Sequence, residues 1–204
     1  FIGINPTNDM ALADNKLYTL IVVLVIYWLA TFISLKGIDW VGKISKIGGL
    51  IGTIIPSFLL IVLGIYYVVS GGHIQMDLSG SFLPDLAKLD NLVFASSIFL
   101  FYAGMEMTGV HVKDMDNPSK SYPRAVFIGA LMTVLIFILG TYALGFIIPK
   151  DNINLTQSLL IGFDNYFKYI NASWLSPVIA IALAFGVLAG VLAWVSGPSK
   201  GLLI

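Results

Sequence analysis

The chain has 204 residues, 58% of them hydrophobic and 11% charged, with zero formal net charge and no cysteine. Soluble domains carry about 25% charged residues, so a mean hydropathy of +0.92 places this chain in a bilayer. Zero net charge gives no electrostatic case for nucleic acid, and the lack of cysteine removes disulfides and thiolate metal sites.

Five stretches carry no acidic or basic residue apart from one glutamate. They lie between Lys16 and Lys36, Lys46 and Asp77, Asp90 and Lys113, Arg124 and Lys150, and Lys168 and Lys200. Each supplies the roughly 20 residues that a helix needs to cross the hydrocarbon layer. The expected fold class is all-α integral membrane: one transmembrane domain over residues 1–204, multi-pass in the cytoplasmic membrane.

In chain order, FIGINPTNDM opens without Met and GLLI closes without a polar tail, so an internal piece of a longer protein is expected. The first span is expected over about residues 17–35 and the second over about 44–70. Pro56 falls inside the second span, where its missing N–H should disturb the helix. Residues 71–90, with Gly71-Gly72 and Pro84, read as an irregular loop. The third span is expected over about 91–111 and the fourth over about 125–148. Pro123 sits at the start of the fourth, where a missing N–H costs nothing. Between these two, KDMDNPSKSYPR has turn chemistry at Asn117-Pro118 and reads as a connector.

An amphipathic helix follows over about 155–169. Leu155, Leu159, Leu160, Phe163 and Phe167 share one face, opposite Gln157, Asp164 and Lys168. This pattern suits an interfacial helix on the membrane surface and equally a lid packed on the protein. The fifth span is expected over about 174–196. Gly48 and Gly52, and Gly186 and Gly190, are spaced for close helix approach. Close packing without a direct role is the plainer reading of all four.

One set of loops carries Lys36, Lys43, Lys46, Lys113, Lys120, Arg124 and Lys200; the other carries Lys16, Lys88, Lys150 and Lys168. The richer set is assigned to the cytoplasm.

Glu106 is the only glutamate, and it sits mid-span in NLVFASSIFLFYAGMEMTGVHV. A carboxylate there costs roughly 2.5–3.5 kcal/mol on insertion scales, so an intramembrane acid is a functional hypothesis by default. Lipid favours its neutral form, and a carboxyl so placed can load and release a proton. The plain alternative is a Glu paired with a polar group on another helix. His111 stands five residues on, where a pH-sensing role competes with a simple polar helix end. His73 lies in an outer loop. No metal site, cofactor motif or catalytic constellation is present, so no enzyme is expected. Trp194 and Tyr102 suit a cavity lining or packing.

The run FYAGMEMTGVHVKDMDNPSKSYPRA resembles the helix-six region of the amino acid–polyamine–organocation (APC) superfamily: Tyr102, Gly104 and Glu106, then Asn117, Pro118, Lys120 and Pro123. GVLAGVLAWVSGPSKGLL, from Gly186, resembles helix eight of the same group. The nearest resemblance is to bacterial glutamate/γ-aminobutyrate antiporters. It implies a partial LeuT-type helical bundle, about five transmembrane helices, four to eight, of an inverted-repeat transporter. It also implies an amino acid as substrate, the missing helices of the same transporter as partners, and acid resistance as physiology. Tyr102, Ala103, Gly104 and Trp194 would face substrate, and Glu106 would respond to protons. Two positions depart from relatives. Gly190 stands where the exchanger has an acid, which leaves selectivity open. Leu100 stands where the arginine/agmatine exchanger has a Trp, which points away from a cationic substrate. Glutamate/γ-aminobutyrate exchange leads. A proton-coupled symporter of other specificity and a non-transporting assembly or sensor subunit are the rivals.

Overall fold

The computed structural model describes residues 15–76, 87–100, 109, 112, 115–153 and 157–201. Among the described residues, four helical stretches are long and apolar enough to cross a membrane: Lys16–Leu35, Asp39–Val69, Pro118–Ile147 and Leu175–Gly197.

Helix α1 (Lys16–Leu35) starts where the Asn15 side chain accepts from the backbone N–H groups of Leu17 and Tyr18, at 3.0 and 3.2 Å. These are two of the orphan donors every helix start must satisfy. It ends at Gly37, whose φ of 104° is open to glycine and strained for other residues. Nearly all its large apolar side chains are exposed, as on a helix whose neighbours are lipid or other helices.

The second expected span is one helical rod in three parts: α2 (Ile38–Gly49), a π-helical turn at Leu50–Ile54, and α3 (Ile55–Val69). The disturbance expected at Pro56 takes the form of that wide turn. Proline has no N–H to give the carbonyl four residues back, and just before it the Ile55 N–H bonds the Leu50 carbonyl, five residues back.

Helix α4 (Leu89–Leu100) is the described part of the third expected span. Helix α5 (Pro118–Ile147) begins seven residues before the expected fourth span. Pro118 takes the first helical position, and Asn117 precedes it in the left-handed region at φ 54°. The Lys120 and Ser121 N–H groups both bond the Asn117 carbonyl at 3.0 Å. The second half of the expected connector is therefore helix, and Pro123 lies inside it rather than at its opening. A proline preset for the first turn makes Pro118 the better start.

Helix α6 (Ser158–Tyr169) buries Phe163, Tyr166 and Phe167. Phe163 and Phe167 of its expected apolar face are turned onto the protein, whereas Leu159 is 40% exposed and Gln157, expected opposite, is buried. Helix α7 (Leu175–Gly201) completes the described chain.

The rod α2–α3 changes partners along its length. Helix α2 and the π-turn pack on α7, and α2 also meets α1; α3 packs on α5 and α6. Two cores result. The outer core gathers Leu60, Leu63, Tyr67, Ala143, Phe163, Tyr166, Phe167 and Ile179. The inner core gathers Ala30, Val41 and Leu192, with Ile33, Ile44, Leu188 and Val191 around them.

Candidate functional site

Tyr102, Ala103, Gly104 and Glu106 lie outside the described residues, as does His111. Their surroundings are given by what flanks them. Helix α4 leads in through Leu100. At the far side the chain returns at Gly109, where a Cβ would stand 3.4 Å from the Tyr122 hydroxyl of α5. The Met115 N–H then bonds the Val112 carbonyl at 3.2 Å, turning the chain toward Asn117.

Trp194 lies on α7, and α7 has two unlike sides. Gly186, Ala189 and Leu192, spaced three apart, face α2 and the π-turn. A Cβ on Gly48 would collide with Ala189 Cβ and come 3.1 Å from the Phe185 carbonyl oxygen. A Cβ on Gly186 would come 2.6 Å from the Gly52 carbonyl oxygen. The Ser45 hydroxyl donates to the Ala189 carbonyl at 3.4 Å. Of the four glycines spaced for close approach, Gly52 and Gly186 meet backbone to backbone and Gly48 packs on Ala189, whereas Gly190 is not part of the contact.

The other side carries Val187, Gly190 and Trp194 at helical spacing. Val187 is 60% and Trp194 54% exposed. Nothing lies within 4 Å of a Cβ at Gly190. Gly190 thus adds no side chain and no charge to this exposed face one turn from the indole. The structure brings Trp194 and Gly190 together on one open face; the other expected site residues fall outside what is described.

A group of polar contacts lies in and around the outer core. The Tyr166 hydroxyl donates to the Ala143 carbonyl of α5. Burial, helped by Tyr67, holds the Tyr166 phenol above its ordinary range, so it stays a donor. The Tyr67 hydroxyl donates to the His73 carbonyl at 2.9 Å, and the Tyr67 and Tyr166 rings meet edge-on with centroids 5.8 Å apart. Asp164 accepts from the Ser176 hydroxyl at 2.9 Å and pairs with Lys168 at 2.5 Å. Sequence periodicity signalled the apolar face of α6, but not the tyrosine bonds, because their acceptors are backbone carbonyls, which leave no trace in a residue pattern. No cluster of His, Asp or Glu suited to a metal occurs among the described residues.

A family model described as amino acid permease matches residues 2–203. The chain is 34% identical over 193 residues to an uncharacterized transporter of Legionella pneumophila, which covers 95% of the chain and 42% of that protein. It is 32% identical over 198 residues to a glutamate/gamma-aminobutyrate antiporter of Lactococcus lactis subsp. cremoris, covering 96% of the chain and 39% of the relative. An aspartate/glutamate permease of the same organism is 30% identical over 155 residues, 73% of the chain and 30% of the relative. The chain thus spans about two fifths of the length of the first two of these proteins.

Proposed function

Since the chain belongs to the amino acid permease family of the APC superfamily, we propose that it is the helix-four-to-eight part of an amino acid transporter working by alternating access, with glutamate/γ-aminobutyrate exchange as its activity. The fold is all-helical and membrane-spanning, the family is one of permeases rather than enzymes, and the protein resides in the cell membrane. The observation that carries the substrate reading is the likeness along 96% of the chain to a glutamate/gamma-aminobutyrate antiporter.

In this reading Tyr102, Ala103 and Gly104 meet the substrate from one helix, and Gly190 and Trp194 from another. The open face at Gly190 takes the methylene chain that glutamate and γ-aminobutyrate share, against the indole. The charged ends of the substrate are held elsewhere, on backbone groups of the third span and on helices beyond this chain. Glu106, just past the substrate-facing residues, is neutral when protonated and costly in lipid when charged. Its proton state therefore biases which side the site faces. Spans at about 17–35, 44–70, 91–111, 125–148 and 174–196 and the surface helix at about 155–169 complete the proposed topology.

The test uses the full-length parent in proteoliposomes that are either empty or loaded with glutamate. Labelled γ-aminobutyrate should enter loaded vesicles only, and Glu106→Gln should change its pH profile. A second reading, proton-coupled uptake of an acidic amino acid, is favoured by the likeness to an aspartate/glutamate permease. It predicts that empty vesicles fill with glutamate under a pH gradient. No uptake of either compound overturns both.

A further inference from the structure

The outer end of the bundle holds a cavity of about 430 Å³, a size usual for small-ligand sites. Three segments build it: α5 through Thr141, Leu144 and Ile148, the strap that follows α3 through Met76, and the chain leading to α6 through Lys150 and Ile153. The walls are fixed by packing. Gly71, at φ 78°, turns the strap back, and the Gln75 N–H bonds the Phe146 carbonyl at 3.1 Å. Gly145 makes room for Met76, since a Cβ there would stand 2.8 Å from its sulfur. Leu144 is seated on Gly162 of α6, where a Cβ would collide with its Cδ2.

The lining is mainly apolar. Lys150 is the one charged residue, and no carboxylate stands among the described residues around the cavity. Its depth follows from the helix ends. Tyr66 near the end of α3, Tyr169 at the end of α6 and Trp174 before α7 are all exposed, as aromatic residues are where a bilayer meets water. Lys150 follows the end of α5 at this same end of the bundle. A lysine so placed lays its stem along apolar surface and keeps its ammonium in water. Thr141 precedes the end of α5 at Ile147 by six residues, about 9 Å deeper at 1.5 Å per residue. The cavity therefore runs from the level of lipid head groups into that of the acyl chains.

This combination narrows the occupant. An amino acid zwitterion needs a partner for each charge, and the lining offers only a cation. A helix with its side chains is about 10–12 Å across, too wide to enter, although it could cover the mouth. A single flexible chain fits. We propose that the cavity holds one acyl chain of an anionic phospholipid of the outer leaflet, with its phosphate on the Lys150 ammonium. The ammonium has three donors and no acceptor, which suits phosphate oxygens. The site stands apart from the substrate-facing residues and does not rest on the transport reading.

The test uses the full-length parent in phosphatidylcholine nanodiscs with a trace of phosphatidylglycerol that carries a diazirine on its acyl chain. After illumination the labelled residues are mapped. Label on Met76, Leu144 and Ile148 should exceed that on the exposed face of α1 several-fold. Unlabelled phosphatidylglycerol should remove the excess, and added phosphatidylcholine should not. Lys150→Glu should lower cavity labelling several-fold. Thr141→Phe, which fills the cavity from an exposed position, should lower it too. Lys168→Gln removes an exposed cation outside the cavity and should leave it unchanged. Label on α1 should be equal in every variant, which reports that each is folded in the bilayer. Cavity labelling no stronger than that of α1 and indifferent to Lys150→Glu means bulk lipid only and overturns the site. Label on α1 with none in the cavity means that a helix beyond this chain closes the mouth, and overturns it equally. A diazirine fatty acid that labels Leu144 and resists excess phosphatidylglycerol overturns the phospholipid in favour of a free fatty acid.

Discussion

The outer and inner halves of this bundle are held by different means. The outer core is aromatic and cross-linked by hydrogen bonds: Tyr166 to Ala143, Tyr67 to His73, Ser176 to Asp164, and the Gln75 N–H to the Phe146 carbonyl at 3.1 Å. The inner core is small, made of Ala30, Val41 and Leu192 beside a line of glycine and alanine contacts. Large interlocked rings leave one arrangement; backbones in contact without side chains leave several of similar energy. A single membrane-crossing rod thus meets aromatic, hydrogen-bonded partners at one end and close-set small residues at the other, and the π-turn marks the change.

The sharpest way to break this contrast is at the outer core. Phe163→Ala should lower stability by about 3–5 kcal/mol, the usual cost of deleting a buried ring, read as a fall in melting temperature in detergent. A loss under about 1 kcal/mol would mean that α6 is not an anchor. Next comes the glycine contact. Gly52→Ala, whose methyl would collide with Gly186 backbone, should cost about 1–3 kcal/mol as overpacking does. Gly190→Ala, in open space, should be neutral or stabilising in the same melt; the reverse ranking would misplace the contact.

Tyr166→Phe should cost about 1 kcal/mol for the lost hydrogen bond. It also carries a pH signature. The phenol is held above its unfolded value, so its contribution is full below about pH 10 and declines as pH rises toward the folded value. Native protein should lose stability on the alkaline side, and Tyr166→Phe should flatten that slope. Lys168→Gln is the smallest. Its side chain is 60% exposed, so solvent screens the pair with Asp164 and the change should stay within about 0.5 kcal/mol.

Much of this was legible in the residues. Four of the five charge-free stretches coincide with described helices long and apolar enough to cross a membrane, and the run from Tyr102 through Pro123 pointed to the family. The amphipathic repeat from Leu155 to Phe167 marked α6, yet periodicity alone left open whether its apolar face met lipid or protein; the burial of Phe163 and Phe167 decides for protein. Pro56 announced a disturbance without its form, since a kink and a wide turn both follow from a missing donor. The start of α5 was displaced because two prolines competed for it, and the left-handed Asn117 that favours Pro118 is a property of backbone, not of composition. The Gly52–Gly186 contact was visible as spacing only. That one glycine of each pair meets the other, while Gly48 meets Ala189 and Gly190 faces open space, depends on how α7 crosses the second span.

The contrast between the halves is tested most directly by hydrogen–deuterium exchange of the full-length parent in nanodiscs. The account predicts slow exchange across α3 and α6, and faster exchange across the π-turn and residues 186–190. Uniform protection along the whole second span would contradict it.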